Sequence, residues 1–82
     1  MRKKPRDSSL TLTCVGLESC ALFLEPWGTE YRLKSGEPMR LRTSSLETGD
    51  VEVSFTANGL VVGITSDAAV VMLDHAGNQL GV

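Results

Sequence analysis

The stretch Leu22-Phe23-Leu24-Glu25-Pro26-Trp27-Gly28-Thr29-Glu30-Tyr31-Arg32-Leu33-Lys34-Ser35-Gly36-Glu37-Pro38-Met39-Arg40-Leu41-Arg42 decides the fold. An apolar run ends at Glu25-Pro26-Trp27-Gly28, where Pro pre-sets φ and Gly accepts a turn. Tyr31 and Leu33 then alternate with charged residues, Ser35-Gly36 turns the chain, and Met39 and Leu41 alternate with Arg40 and Arg42. A period of two is the mark of a strand with one buried and one wet face. The stretch therefore reads as three strands and two turns.

The same pattern runs outward in both directions. Candidate strands are Leu10–Val15, Cys20–Glu25, Thr29–Leu33, Pro38–Thr43, Val51–Thr56, Leu60–Thr65 and Ala69–Asp74, with a short last strand at Gln79–Val82. Turn residues recur every eight to twelve positions, the spacing of a sandwich or barrel. Ala57-Asn58-Gly59-Leu60 is the clearest hairpin signal, because Asn-Gly suits a type I′ turn. No segment sustains an apolar i, i+3, i+4, i+7 pattern; residues 43–48 have room for one short helical turn. The expected fold is all-β: a single small antiparallel β-sandwich or flattened barrel of seven or eight strands over residues 10–82, preceded by a basic tail at 1–9.

Composition sets the bounds. The chain has 82 residues, 41% apolar and only 5% aromatic, so its one core is built from aliphatic side chains. Residues 1–9 carry four cations against one acid, and residues 10–82 carry four cations against nine acids. An acidic body argues against nucleic acid as a partner; only the basic tail, expected to be flexible and solubilising, could touch phosphates. No apolar run reaches the roughly 20 residues of a membrane span. The basic start runs into Asp7-Ser8-Ser9 rather than an unbroken apolar segment, so no secretory leader is expected and the cytoplasm is the expected location.

Parity assigns faces. Val51, Val53 and Phe55 oppose Glu52, Ser54 and Thr56 and are expected to be half-buried. Leu60, Val62 and Ile64 oppose Val61 and Gly63, and Val71 and Leu73 oppose Val70 and Met72, so both faces of this expected hairpin are apolar. The chain itself or a second chain must cover the outer face. If the chain self-associates, Val61, Val70 and Met72 are the candidate interface, with Gly63 allowing close approach.

Chemistry is sparse. His75 is the only histidine and lies in a polar turn, and Cys14 and Cys20 are the only cysteines. That set makes no four-ligand metal site in one chain, and no cofactor motif is present. In a cytoplasmic chain two buried free thiols are favoured over a disulfide. Glu25, Glu30 and Glu37 read as a solvated acidic rim rather than an acid–base pair. No catalytic set is expected. Trp27 and Tyr31 offer aromatic faces, and Arg40 and Arg42, on one face of a strand, could clamp an anion or carboxylate. These four are the candidate ligand- or partner-binding residues.

Residues 24–37, Leu-Glu-Pro-Trp-Gly-Thr-Glu-Tyr-Arg-Leu-Lys-Ser-Gly-Glu, resemble a stretch of small uncharacterised bacterial all-β proteins with the pattern Leu-Glu-Pro-Trp-Gly-x-Glu-aromatic/His-x-Leu-x-x-Gly-Glu. The resemblance covers about residues 20–80 and implies a β-fold without a function. A weaker likeness is to cupins, whose metal strand carries His-x-His where Arg40-Leu41-Arg42 stands here; it implies a cupin-like site without its metal ligands. Together these features lead to the expectation of a non-enzymatic binding module for a protein partner, a small accessory, regulatory or toxin-neutralising protein, or of a homo-oligomer. The alternative is a metal-free binder of a small anionic or sugar-like ligand.

Overall fold

The computed structural model describes residues 8–82. The basic segment read as a tail lies outside the described residues up to position 7. The chain forms β1 (Ser9–Leu12), β2 (Ser19–Glu25), β3 (Thr29–Lys34), β4 (Met39–Thr43), a single helical turn α1 (Ser45–Thr48), β5 (Val51–Thr56), β6 (Gly59–Ile64), β7 (Val70–Leu73) and β8 (Gln79–Leu80). These strands make two four-stranded sheets, ordered β1-β4-β7-β8 and β3-β2-β6-β5. The fold is the expected all-β sandwich, and it is not a closed barrel.

Alternation places the core where the sequence puts it for most strands. Leu12 and Leu41, with Met72, line the inner side of the first sheet; Leu22, Leu24, Tyr31, Leu33, Val62 and Ile64 line that of the second. Six of these aliphatic side chains are fully enclosed, each worth about 1.5–3 kcal/mol relative to exposure. The turn at 43–50 is held by Ser45, whose Oγ lies 2.6 Å from Ser66 Oγ and whose N–H donates to Thr43 Oγ1 at 3.2 Å. Gly49 then ends α1 with φ of 79° and hands the chain to β5.

Three expectations need correction. The hairpin read from residues 60–74 does not form, because β6 and β7 lie in different sheets. After Ile64 the chain crosses between sheets, and β6 pairs instead with β2, in parallel, with Leu22 opposite Leu60. Periodicity reports faces and not partners, so it could not separate the two arrangements. The candidate self-association surface is divided in consequence. Met72 is fully buried and Val70 packs against the core of the first sheet, whereas Val61 alternates with the buried Val62 and lies half-buried on the outer side of the second. Last, Cys14 and Cys20 are not free thiols: they form a disulfide, with Cα atoms 5.7 Å apart across the β1–β2 loop.

Candidate interaction surface

The four ligand-binding candidates do not converge. Trp27 sits in the β2–β3 turn, after a cis Glu25–Pro26 bond, and its side chain is partly exposed. The turn is closed by Gly28 N–H donating to Leu24 O at 2.8 Å. Tyr31, on the inner side of β3, is buried, and its hydroxyl donates to Gly81 O at 2.6 Å. That burial raises the phenol pKa above its ordinary value. Arg40 and Arg42 lie on the opposite sheet, both exposed on the outer side of β4 between β1 and β7. A shallow pocket of about 130 Å³ adjoins Arg40, with Asp74 and His75 in its wall.

Asp74 is committed to its own turn. Its Oδ1 accepts from the Ala76 and Asn78 N–H groups at 2.9 and 2.8 Å, and its Oδ2 accepts from Asn78 Nδ2 at 3.2 Å. The Asn78 backbone N–H is the first cause of a carboxyl pKa held below the ordinary value, followed on the lowering side by the Asn78 side chain, the Ala76 N–H and the nearby His75. His75 Nδ1 lies 3.9 Å from Glu37 Oε1 across exposed surface. Among the described residues, no three His, Cys, Asp or Glu side chains gather to hold a metal ion.

A different place brings together two of the exposed apolar side chains. On the core side of the second sheet, pairing sets Leu33 beside Cys20, Leu22 beside Leu60, and Leu60 beside Phe55. Leu22, Leu33 and Val62 on this face are buried, whereas Cys20 and Leu60 are half-buried. Phe55 is 86% exposed there, although parity on β5 puts it on the same side as the buried Val62. The β1–β2 loop presents Leu17, 64% exposed. Phe55 and Leu17 both line an open groove of about 480 Å³ together with Cys20, Leu33 and Leu60 from the core side, and with Ala21, Arg32 and Thr56, whose parity is opposite. The Cys14–Cys20 disulfide closes the loop that carries Leu17.

These groove residues were not singled out from the sequence. Val51-Glu52-Val53-Ser54-Phe55 alternates like any half-buried strand, and nothing local marks it as lying at an edge. Val15 and Leu17 gave the one usable signal, two aliphatic side chains in a glycine-containing turn where polar residues are the rule.

No family model matches the chain, and no curated protein or solved structure matches it either. No helix among the described residues is long and apolar enough to cross a membrane.

Proposed function

We propose that this chain is a non-enzymatic protein-interaction module, a small accessory, regulatory or toxin-neutralising protein, that receives an apolar segment of its partner in the Leu17–Phe55 groove. The observation that carries this reading is the pair of large exposed apolar side chains, Leu17 and Phe55, lining one groove with Cys20, Leu33 and Leu60. Exposed apolar surface of this kind marks contact sites, and a buried aromatic anchor commonly dominates their energy. Burying Phe55 and Leu17 would contribute about 3–6 kcal/mol before the cost of lost freedom. The test is capture from native cells with wild type, Phe55→Asp and Leu17→Asp, followed by titration of the purified partner. Both variants should weaken binding at least about 100-fold, or roughly 2.7 kcal/mol. A partner that binds all three chains equally would refute the groove.

A second reading has its own support: Arg40 and Arg42 share one exposed face beside a small pocket, which suits a small anionic ligand. The engaged Tyr31 hydroxyl does not contribute to it. A ligand whose binding is lost in Arg40→Ala and kept in Phe55→Asp would favour this reading. The compartment belongs to the same proposal. The sequence points to the cytoplasm, while the Cys14–Cys20 disulfide supports an oxidising compartment. Counting free thiols in protein alkylated at the moment of cell lysis separates the two.

A further inference from the structure

We infer that two copies of this chain pair edge to edge through β5, antiparallel about a two-fold axis at Val53, to make one continuous eight-stranded sheet. Among the described residues β5 ends the order β3-β2-β6-β5, so no strand lies beyond it. An edge strand is a template for another strand unless something blunts it: a Lys, a Pro, a bulge or very short length. The other edges are blunted. β8 has two residues, β1 has four, and β3 carries Arg32 and Lys34. β5 has six residues, Val-Glu-Val-Ser-Phe-Thr, with no basic residue and no proline. Its pairing to β6 runs without a bulge from Val51 opposite Ile64 to Thr56 opposite Gly59.

Backbone parity fixes which groups face outward. Thr65 N–H donates to Asp50 O at 2.9 Å, so position 50 belongs to the set that bonds inward to β6. In an antiparallel ladder this set alternates. Glu52, Ser54 and Thr56 therefore bond to β6, and the N–H and C=O groups of Val51, Val53 and Phe55 point out of the edge. These are the same residues whose side chains lie on the apolar side, with Val53 44% and Phe55 86% exposed. Backbone valence and apolar surface thus become free at the same three positions.

The sequence is self-complementary in only some registers. A two-fold axis at Glu52 would set two carboxylates opposite each other. An axis at Val53 sets Val51 against Phe55 of the second copy, Val53 against its twin, and Glu52 against Ser54. All three hydrogen-bonding positions then face one another, every apolar side chain meets an apolar one, and no like charges are opposed. The axis stands perpendicular to the sheet, so both core faces remain on the same side, as an isologous pair requires. Phe55 belongs to both surfaces: it faces Val51 of the second copy along the edge, and it lines the groove with Leu17 and Leu60.

The test is solution mass by light scattering on the full chain from about 10 µM to about 1 mM. A mass approaching twice the 8.8 kDa of the chain is expected at the upper end. Val53→Pro removes an N–H that the monomer does not use, a change edge strands tolerate, and should weaken dimerisation at least about 10-fold with the far-ultraviolet circular dichroism spectrum unchanged. Should that variant unfold, Ser54→Lys and Ser54→Glu decide instead. The first places an ammonium opposite Glu52 of the second copy and should tighten the dimer; the second places a carboxylate there and should loosen it. A wild type that stays at the single-chain mass throughout overturns the inference, as does a folded Val53→Pro dimer of unchanged affinity, or a common direction of shift for the two Ser54 variants. A monomeric wild type that still captures a partner through the groove defeats the β5 pairing alone, and a β5 dimer that captures nothing defeats the groove alone.

Discussion

Gly59→Ala should be among the most damaging single-methyl additions this protein can suffer. Gly59 opens β6 directly after the Asn58 turn, with φ of +143°. β6 also lies parallel beside β2, with Leu60 opposite Leu22, so Gly59 stands against the Ala21 backbone. A Cβ added at Gly59 would lie 2.5 Å from Ala21 O and 3.1 Å from both Ala21 C and Ala21 Cβ. Two costs follow. The backbone conformation is strained for any L side chain, at about 1–2 kcal/mol. The clash is with main chain in the centre of a sheet, where relief requires shifting a strand, at about 1–3 kcal/mol. The sum, about 2–5 kcal/mol, is a large part of the roughly 4–12 kcal/mol expected for a domain of this length. Thermal unfolding followed by circular dichroism should show Tm lowered by at least about 10 °C. Gly28→Ala is the control: φ is +72° there, but no atom lies within 4 Å of the new Cβ, so only the conformational cost of about 1 kcal/mol remains. A Gly59→Ala chain no less stable than Gly28→Ala would refute the close approach of β6 to β2, and with it the parallel pairing that makes this fold.

Replacing Cys14 and Cys20 together by Ala should cost about 2 kcal/mol, the loop-closure value for a six-residue separation, and a denaturant midpoint checks it. Tyr31→Phe should cost about 1 kcal/mol through the lost hydrogen bond to Gly81 O. In the wild type, the raised phenol pKa means that stability is full below the ordinary value near 10 and declines as pH rises through and above it; unfolding from pH 8 to pH 12 in wild type and Tyr31→Phe should differ in this decline. Asp74 has the opposite sign. Its lowered pKa means that the carboxylate supports the β7–β8 turn at neutral pH, and this support is lost as pH falls below the ordinary carboxylate value and through the lower folded one. Asp74→Ala should abolish that part of the acid sensitivity of Tm, and an undiminished acid response would count against the turn as its origin.

The strands were legible because alternation is local. Leu22 and Leu24, Tyr31 and Leu33, and Leu41 each fall inside as their parity predicts. The pairing was not legible for the reason that β6 illustrates: Leu60-Val61-Val62-Gly63-Ile64 has the same pattern whether its neighbour is β7, as expected, or β2, as found. The disulfide was missed because compartment was taken as the guide to cysteine state, while a six-residue spacing across a strand-to-strand loop already allowed closure. Met72 was assigned to the wrong side because a strand that is apolar on both faces carries no parity signal to choose between them.

The candidate site exposes the deeper limit. Trp27, Tyr31, Arg40 and Arg42 are close in sequence, but the chain passes from the second sheet to the first between β3 and β4, so closeness along the chain became separation across the sandwich. The groove has the inverse construction, drawing Leu17, Cys20, Leu33, Phe55 and Leu60 from a loop and four strands. Parity told correctly which side of β5 Phe55 would occupy. What it could not tell is that Phe55 would be left uncovered, since cover depends on the order of strands in both sheets and not on any run of residues in one. The same alternation therefore yields a core residue at Val62 and an exposed aromatic side chain at Phe55, one strand away. In a two-sheet fold this small, an exposed apolar surface can be a stretch of core-side strand left uncovered, and only the topology reveals which stretch that is.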